Sequence, residues 1–405
     1  MDRLFDLHAH PSLKMYYLPY LTRTFHAAVG QERFWNPLNF QTRYANLKDS
    51  PVRAFCCAHY VIEPGFAAKG IKQLGRALAW TLAPGYYNRL RKADPWTTLQ
   101  GMIETLEDAV RNTNRWVIGR GKRLRVVKRF SELQQLTSDE IAVMHSLEGS
   151  HALGYRKPDQ SKEAFWAQTQ ERLAWLKQRG IAMIGLSHFC DNEFAPQIDS
   201  TEIIPKVVNG RVIDVRDDQF YEMHRATWEW GDPQHLSDEL ARECMRLGIL
   251  LDLVHLQEHA RWKVYDLCAE YDRPVVVSHN GLQHFFPHEY NLSDAEVLRI
   301  RELGGVIGLI LSKRWLLSPE ECHYSGGDGI ADLVDQMRYV RDLTGDVSVL
   351  GIGTDFDGLT HPFTDCCKPD ELGRIAYRMK RHFTPREIDD ILWGNSHRVF
   401  EKGWR

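Results

Sequence analysis

Two histidines near the start of the chain have the spacing of a metal-binding pair. His8 and His10 follow the largely apolar segment 4–7, which predicts a short buried strand. Side chains alternate along a strand, so residues two apart point to the same side. Two imidazoles on one side of a strand end can bind one transition-metal ion. A chance pair of histidines in a loop has the same pattern, so the rest of the chain has to supply further ligands.

Eight apolar segments predict the strands of a parallel sheet. They start near residues 3, 52, 140, 180, 248, 274, 305 and 347, and from the third onward they alternate with helical segments. Most of them are apolar throughout, as are strands covered on both faces. Eight such units favour a closed (β/α)8 TIM-type barrel over an open doubly wound sheet. No Gly-x-Gly-x-x-Gly segment follows the first strand, which argues against a dinucleotide-binding fold.

We expect one barrel domain over residues 1–405, with insertions after the second and fourth strands. The first insertion, 60–130, is predicted to be helical. Within it, apolar residues from Ala67 to Leu82 fall on one helical face, which suits a lid or a subunit contact better than a membrane surface. The second, 190–235, is predicted to be irregular, with a small hairpin turning at Asn209 and Gly210.

Polar residues stand at the ends of six of the eight predicted strands. In a barrel of this type, the carboxyl ends of the strands carry the active site. The set offers imidazole nitrogen and carboxylate oxygen but no thiolate, which suits Zn, Mn, Fe or Co. The residues are His8, His10, Glu148, His188, His255, His279 and Asp355.

Four histidines and two carboxylates, with His188 left aside, are too many for one tetrahedral zinc that keeps an open position. They suit two divalent ions about 3.5–4 Å apart, and zinc is the expected metal. A carboxylate can bridge two ions because each of its oxygens can bind one. We therefore expect His8, His10 and Asp355 at the first ion, His255 and His279 at the second, and Glu148 between them.

Such a site predicts a hydrolase. A water held between two ions becomes a nucleophile near neutral pH. Asp355 would take its proton and pass it to the leaving group, and His188 would donate a hydrogen bond to the scissile carbonyl oxygen. The favoured reaction is cleavage of an amide, peptide or related acyl bond in a small-molecule substrate. Hydrolysis of a lactone, cyclic amide or phosphoester, and a non-catalytic metal-binding protein, are the open alternatives.

Composition and charge bear on the partners of the protein and on its cellular location. The formal net charge of −3 does not suggest a nucleic-acid partner. No apolar run is long enough for stable membrane insertion, and the start of the chain does not read as a signal peptide. The eight cysteines form no Cys-x-x-Cys pair, so reduced thiols in a cytoplasmic protein are the expectation. A homo-oligomer is compatible with the sequence but not required by it.

The order of these motifs resembles the renal, or membrane, dipeptidase family of metal-dependent barrels, from residue 4 to about residue 401. The resemblance implies a bridging role for Glu148, a substrate-polarising role for His188 and a double role for Asp355 as metal ligand and base. It also implies that His255 and His279 bind the second ion. The matching segments are 145–151, 186–188, 251–255, 277–279, 351–358 and 394–400.

Two positions depart from that family. The family opens with His-x-Asp, whereas this chain has His10, which removes one negative charge from the two ions. The family also carries an arginine for the dipeptide carboxylate about eleven residues after its last histidine ligand, and residues 288–292 contain none. Losing such a fork-shaped partner weakens carboxylate binding. We expect Lys313 or Arg314, after the seventh strand, to pair with an anionic group of a different substrate.

Overall fold

The computed structural model describes residues 3–17, 40–62, 94–117, 121–189, 192–196, 198, 206–208, 211–213, 228–318, 328–358 and 362–405. The predicted amphipathic helix from Ala67 to Leu82 lies outside the described residues.

Nine strands of the described chain form one parallel sheet, and two more form a separate antiparallel hairpin. The hairpin, β6 and β7, lies where the sequence predicts it. The strands are β1 (Leu4–Ala9), β2 (Val52–Tyr60), β3 (Arg123–Val127), β4 (Glu140–Glu148), β5 (Ile181–Gly185), β6 (Lys206–Val208), β7 (Arg211–Ile213), β8 (Leu250–Asp252), β9 (Val276–Asn280), β10 (Val306–Ile310) and β11 (Leu350–Gly353).

Eight of these strands close into a barrel. Their order is β2-β1-β11-β10-β9-β8-β5-β4, and β2 pairs with β4 from Ala54 opposite Ala142 to Tyr60 opposite Glu148. The predicted (β/α)8 TIM-type barrel is therefore confirmed. The ninth strand, β3, pairs with residues 140–144 of β4, whereas β5 pairs with residues 145–147. It is an addition that the count of eight apolar segments does not include.

Helices follow most of the barrel strands and cover the sheet. Within the described ranges, no helix is both long enough and apolar enough to cross a bilayer. The helices are α1 (Pro11–Tyr17), α2 (Tyr44–Lys48), α3 (Pro95–Val117), α4 (Phe130–Leu133), α5 (Lys162–Arg179), α6 (Ser237–Leu247), α7 (Glu258–Glu270), α8 (Asp294–Glu302), α9 (Lys313–Leu316), α10 (Gly329–Thr344), α11 (Gly373–Met379), α12 (Pro385–Asp389) and α13 (Asn395–Gly403). Short 3₁₀ turns cover Ser150–Leu153 and Pro369–Glu371, and a π turn covers Asp390–Gly394.

Local signals set the helix ends that lead into the strands. The Ser161 hydroxyl accepts a hydrogen bond from Ala164 N and caps α5. That helix ends at Arg179 and is capped by Gly180, whose φ of 85° suits glycine, and β5 begins at the next residue. At the other end of the chain, the Asn395 amide donates to the carbonyl oxygens of Val347 and Leu350. These bonds tie α13 to the segment that forms β11.

Candidate active site

The seven polar residues predicted at the strand ends lie together at one end of the barrel. Each is located within or just after a barrel strand, and none of the seven is more than 6% exposed. The carboxyl ends of parallel strands meet at one end of a barrel, which explains how residues spread over most of the chain reach one place. The positions are His8 in β1 and His10 after it, Glu148 at the end of β4, His188 after β5, His255 after β8, His279 in β9 and Asp355 after β11.

The carboxylate of Glu148 lies at the centre of this group. One of its oxygens faces four imidazoles and the other faces a fifth. Both oxygens therefore lie within reach of nitrogen ligands, as a bridge between two ions requires. The distances to Nε2 atoms are, from Oε1, 3.3 Å to His8, 3.5 Å to His255, 3.6 Å to His279 and 3.8 Å to His188, and, from Oε2, 3.3 Å to His10.

His10 links this centre to Asp355. The Nε2 atom of His10 lies 3.1 Å from Asp355 Oδ1 and 2.9 Å from His8 Nε2. The backbone N–H of Asp355 donates to the carbonyl oxygen of His8 over 2.9 Å, which joins the first and last barrel strands beside the site.

Three groups of ligand atoms within this cluster could each hold a metal ion. They are His8, His10 and Asp355; His8, Glu148 and His279; and Glu148, His188 and His255. The third group shows that His188 lies within reach of an ion, in addition to the substrate contact predicted for it. The ion and substrate roles of the individual residues remain predictions.

The donor set fits divalent cations. Among the described residues, the buried Glu148 Oε2 accepts no hydrogen bond, although His10 Nε2 lies 3.3 Å away as a charge contact. Leaving a carboxylate oxygen buried without a partner is costly. Neutral imidazoles and a carboxylate that converge in this way are ligands that zinc and similar metals prefer. A cation bound at Glu148 would therefore satisfy an atom that the protein leaves without a donor.

The protonation states of Glu148, His255 and His279 suit metal binding; for His10, burial lowers the pKa, but the carboxylates of Glu148 and Asp355 outweigh it and raise the pKa above its ordinary value. Burial alone would raise the pKa of Glu148, but the surrounding histidines, His10 first among them, hold it well below its usual range. Burial lowers the pKa of His255 to about 4 and that of His279 well below its usual value. Near neutral pH the carboxylate is thus charged and these two imidazoles are neutral, which is the form that binds a metal.

Two of the expected ligands have a rare backbone conformation. The φ angles of His255 and Asp355 are 67° and 54°, in the left-handed region that residues other than glycine seldom adopt. Strain of this kind persists where the surrounding structure imposes it, and it concentrates at functional sites.

Asp357, two residues beyond Asp355, has a structural role. Its φ is also positive, at 66°, and its side chain is fully buried. The carboxylate accepts hydrogen bonds from Lys14 Nζ, from the backbone N–H groups of Gln41 and Thr42 and from the Thr42 hydroxyl, at 2.6–2.8 Å. These bonds fix the loop after β11 against the segments near α1 and α2.

Two buried aspartates that form hydrogen bonds around the expected ligands were not predicted from the sequence. Asp6 accepts hydrogen bonds from the Thr354 N–H at 2.9 Å, the Thr354 hydroxyl at 2.7 Å and the His8 N–H at 3.2 Å. Asp252 accepts from the backbone N–H and from the hydroxyl of Ser278. Both lie within otherwise apolar strands, and a lone carboxylate in such a strand is the signal that could have identified them.

Two tyrosines also line the cluster and were not predicted. The ring of Tyr60, the last residue of β2, lies 4.2 Å from that of His188. Tyr290 donates its hydroxyl hydrogen to the carbonyl oxygen of His279 over 2.7 Å, and its ring lies 5.3 Å from that of His255. Both tyrosines help to hold the rings of the cluster in place.

Lys313 and Arg314 lie at the start of α9, after β10. Both side chains are half-buried. Lys313 forms an ion pair with Asp332 of α10, with 3.0 Å between Nζ and Oδ2. The structure brings the histidines and carboxylates together, but it gives Lys313 a partner on the helix shell. A substrate contact for Lys313 or Arg314 stays a prediction.

Comparison with known proteins identifies the relatives of this chain. Residues 230–403 match the family model of membrane dipeptidase, peptidase family M19. The predicted resemblance to the membrane dipeptidase family is thereby confirmed. That range contains His255, His279 and Asp355, whereas His8, His10 and Glu148 lie before it.

Curated relatives that carry the name dipeptidase match at low identity. The dipeptidase aclJ of Aspergillus oryzae is 25% identical over 223 residues, which is 54% of this chain and 44% of the relative. An uncharacterized dipeptidase of Schizosaccharomyces pombe is 27% identical over 244 residues, 58% of this chain and 50% of the relative. The chain thus spans about half the length of these relatives.

Solved structures share the fold over nearly the whole chain. A dipeptidase of metallopeptidase family M19 superimposes with a TM-score of 0.67 and 18% identity, covering 99% of this chain and 98% of the other. A metallopeptidase of Rhodobacter sphaeroides, bound to a phosphinate mimic of the dipeptide L-Ala-D-Ala, also gives 0.67, at 19% identity, with 99% of each chain covered. At these identities the likeness supports the barrel fold.

Proposed function

We propose that this chain is a binuclear metal-dependent hydrolase of the dipeptidase type, which cleaves an amide, peptide or related acyl bond. The observation that carries the proposal is the position of Glu148. Its Oε1 lies 3.3–3.6 Å from the Nε2 atoms of His8, His255 and His279, and its Oε2 lies 3.3 Å from that of His10, so both oxygens of one carboxylate face candidate ligands of the two proposed ions.

In this proposal the ions are bound as the sequence predicts, and zinc is the expected metal. Bound there, two divalent ions would supply Lewis acidity and a water acidified toward neutral pH. Asp355 has an oxygen 3.1 Å from His10 Nε2, so it lies beside the reacting centre, where it can accept a proton and return it to the leaving group.

His188 orients the substrate in this scheme. Its Nε2 lies 3.8 Å from Glu148 Oε1, and its ring packs on Tyr60. A donor held at this position by packing can hydrogen-bond the carbonyl oxygen of the scissile bond and the oxyanion that develops from it.

The side chain that could bind a carboxylate of the substrate bears on the substrate class. Relatives of this chain carry the name dipeptidase. Near residues 288–292, the buried Arg261 donates to Glu296 and to backbone carbonyl groups, so its guanidinium is engaged inside the protein. We take Arg314, with Lys313 beside it, as the proposed partner for a substrate carboxylate. Hydrolysis of a lactone, cyclic amide or phosphoester is the second candidate, and the missing family arginine is the observation that favours it.

Metal content tests the site. Purified protein is analysed for metal and assayed on dipeptides beside a Glu148→Gln variant. We expect about two ions per wild-type chain, and less than one with no turnover in the variant, because an amide binds a cation far more weakly than a carboxylate. Glu140→Gln is the matched control, since Glu140 begins the same strand and pairs with Arg123 and Arg125 away from the site. Clearly sub-stoichiometric metal in carefully handled wild-type protein would contradict the proposal.

A substrate panel tests the reaction. Dipeptides, dipeptide amides, lactones and phosphotriesters are compared in wild type, Lys313→Ala and Arg314→Ala. If Arg314 binds a carboxylate, its alanine variant raises KM for dipeptides with little change for dipeptide amides. Unchanged substrate affinity in both variants refutes the anion contact, and turnover of lactones or phosphotriesters alone supports the second candidate.

A further inference from the structure

The hydroxyl of Ser278 contacts three buried polar groups at once. Its Oγ lies 3.1 Å from His8 Nδ1, 3.0 Å from His279 Nδ1 and within hydrogen-bond distance of Asp252 Oδ2. Ser278 is fully buried, and the other three residues are each at most 3% exposed. One hydroxyl therefore joins a histidine of each proposed ion to one buried carboxylate.

Hydrogen-bond counting assigns the direction of each contact. Burial raises the pKa of Asp252 from its ordinary value, but its other oxygen, Oδ1, accepts from the backbone N–H groups of Ser278 and Val254, and these bonds, with the Ser278 hydroxyl on Oδ2, favour the ionised carboxylate. An ionised carboxylate only accepts, so the single hydroxyl hydrogen of Ser278 goes to Asp252. The two lone pairs of the same oxygen are then left to accept from His8 and His279. Each of these imidazoles must carry its hydrogen on Nδ1.

This arrangement prepares both rings for metal binding. A neutral imidazole with its hydrogen on Nδ1 has its lone pair on Nε2, and the Nε2 atoms of both rings face Glu148 Oε1. Among the described residues, the Nδ1 atoms of His10 and His255 have no hydrogen-bond partner. Among the four expected histidine ligands, His8 and His279 are thus the two whose hydrogen position a described partner sets in advance.

We propose that Ser278 is a positioning residue shared by both ion sites: it fixes the Nδ1–H form of His8 and of His279, with Asp252 as its anchor. This inference rests on the proposed function. Hydrogen bonds from outside the ligand shell orient metal-binding histidines, and losing one typically costs 10- to 100-fold in affinity. Here one side chain would exert that effect on two ions.

The backbone around Ser278 shows that its place is closely defined. A Cβ atom at Gly308 would lie 2.0 Å from the Ser278 carbonyl oxygen, and one at Gly353 would lie 1.8 Å from it. Only glycine fits on these two neighbouring strands. The rings of His8 and His279 lie 3.8 Å apart between centroids, so a shared acceptor can reach both.

Two substitutions give different expected results. Ser278→Ala removes the acceptor from both rings, so we expect 10- to 100-fold weaker binding at both sites. In Asp252→Asn, the amide oxygen replaces Oδ1 beneath the two backbone donors, and the NH₂ group then donates to Ser278. The serine hydrogen must then go to one imidazole, which has to carry its own hydrogen on Nε2. We expect this variant to lose one ion preferentially.

The measurement is titration of metal-free protein with zinc against a chelator, with Ser396→Ala as control. Ser396 is fully buried, and its hydroxyl has no partner within the described part of the chain. Unchanged zinc affinity at both sites in a folded Ser278→Ala variant would overturn the proposal. The proposal would also be overturned if Asp252→Asn lowered zinc affinity equally at both sites, as is expected for Ser278→Ala.

A spectroscopic readout separates this inference from the proposed function. Histidine ¹⁵N NMR of metal-free wild-type protein is expected to show Nδ1–H forms for His8 and His279, lost or mixed in Asp252→Asn. The forms can be read even if the protein proves not to be a hydrolase, and also if Ser278→Ala does not fold. Nε2–H forms in the wild type would refute the positioning role, whereas correct forms without zinc binding would refute only the proposed function.

Discussion

Breaking the buried ion pair of Arg261 and Glu296 is the strongest test of how the protein interior supports the candidate site. Both side chains are fully buried. The guanidinium holds both carboxylate oxygens, at 2.5 Å and 3.0 Å, and also donates to the carbonyl oxygens of Leu256 and Glu289. The pair thereby connects α7 and α8 with the loop that carries Tyr290 beside His255.

The perturbation is Glu296→Gln, which keeps the shape of the side chain and removes its charge. Arg261 is then left charged and buried without its counter-ion, and breaking a buried pair in this way costs about 3–5 kcal/mol. The amide also presents two N–H hydrogens to one of the guanidinium donors. Since domains are stable by only about 5–15 kcal/mol, the loss should be large in urea unfolding followed by circular dichroism.

The control lies on the same helix. Glu302→Gln removes a carboxylate that is 63% exposed and pairs with Arg299. Surface pairs of this kind contribute about 0.2–1 kcal/mol, so the control should unfold at nearly the wild-type urea concentration. Replacing both buried partners, as in Arg261→Met with Glu296→Leu, should recover only part of the lost stability: no charge is then buried alone, but the Tyr265 hydroxyl and the Ser293 donors lose Glu296 as their acceptor. A loss below about 1 kcal/mol in Glu296→Gln would refute this reasoning.

Two further predictions concern close packing and pH. Gly353→Ala forces a Cβ to 1.8 Å from the Ser278 carbonyl oxygen, so we expect little folded protein. The control Gly373→Ala, with open space around its Cβ, should express and melt like wild type. Equal melting temperatures for the two variants would contradict the packing argument. Arg301 lowers the pKa of Asp346 to about 2, so the ion pair should stabilise the protein above the unfolded pKa of about 4 and lose this effect as pH falls toward 2. The pair is partly exposed, so Asp346→Asn should lower the free energy of unfolding in urea by less than about 1 kcal/mol at pH 6, and by less still at pH 3. A loss of stability that grew on acidification would contradict this prediction.

Periodicity and position were enough to predict the barrel and the clustering of its candidate ligands. A parallel strand that ends in a histidine or a carboxylate places that side chain at the carboxyl end of the barrel, whatever lies between the strands. This is why His8 and Asp355 could be paired from the sequence although 347 positions separate them. The short strand β3 was not counted because Arg123 and Arg125 interrupt its apolar pattern.

The support behind the ligands could not be predicted in the same way. Ser278 lies directly before His279 and reads as an ordinary small residue in a strand, and its role depends on Asp252 on the neighbouring strand. Which groups face one hydroxyl depends on strand register, and strand register follows from packing over the whole barrel. Likewise, the ion pair between Lys313 and Asp332 joins two helices whose relative placement no local pattern encodes.

The contacts between β1 and β11 determine when the candidate site forms during folding. Asp6 pairs with Ile352 and holds Thr354, and the N–H of Asp355 bonds the carbonyl oxygen of His8. Contacts so distant in sequence form slowly, because a long loop must close before they contribute stability. During synthesis from the N-terminus, the ribosome releases His8 hundreds of residues before Asp355. The proposed ligand set is thus complete only once the barrel has closed, so metal binding at the proposed site would report on the last step of folding.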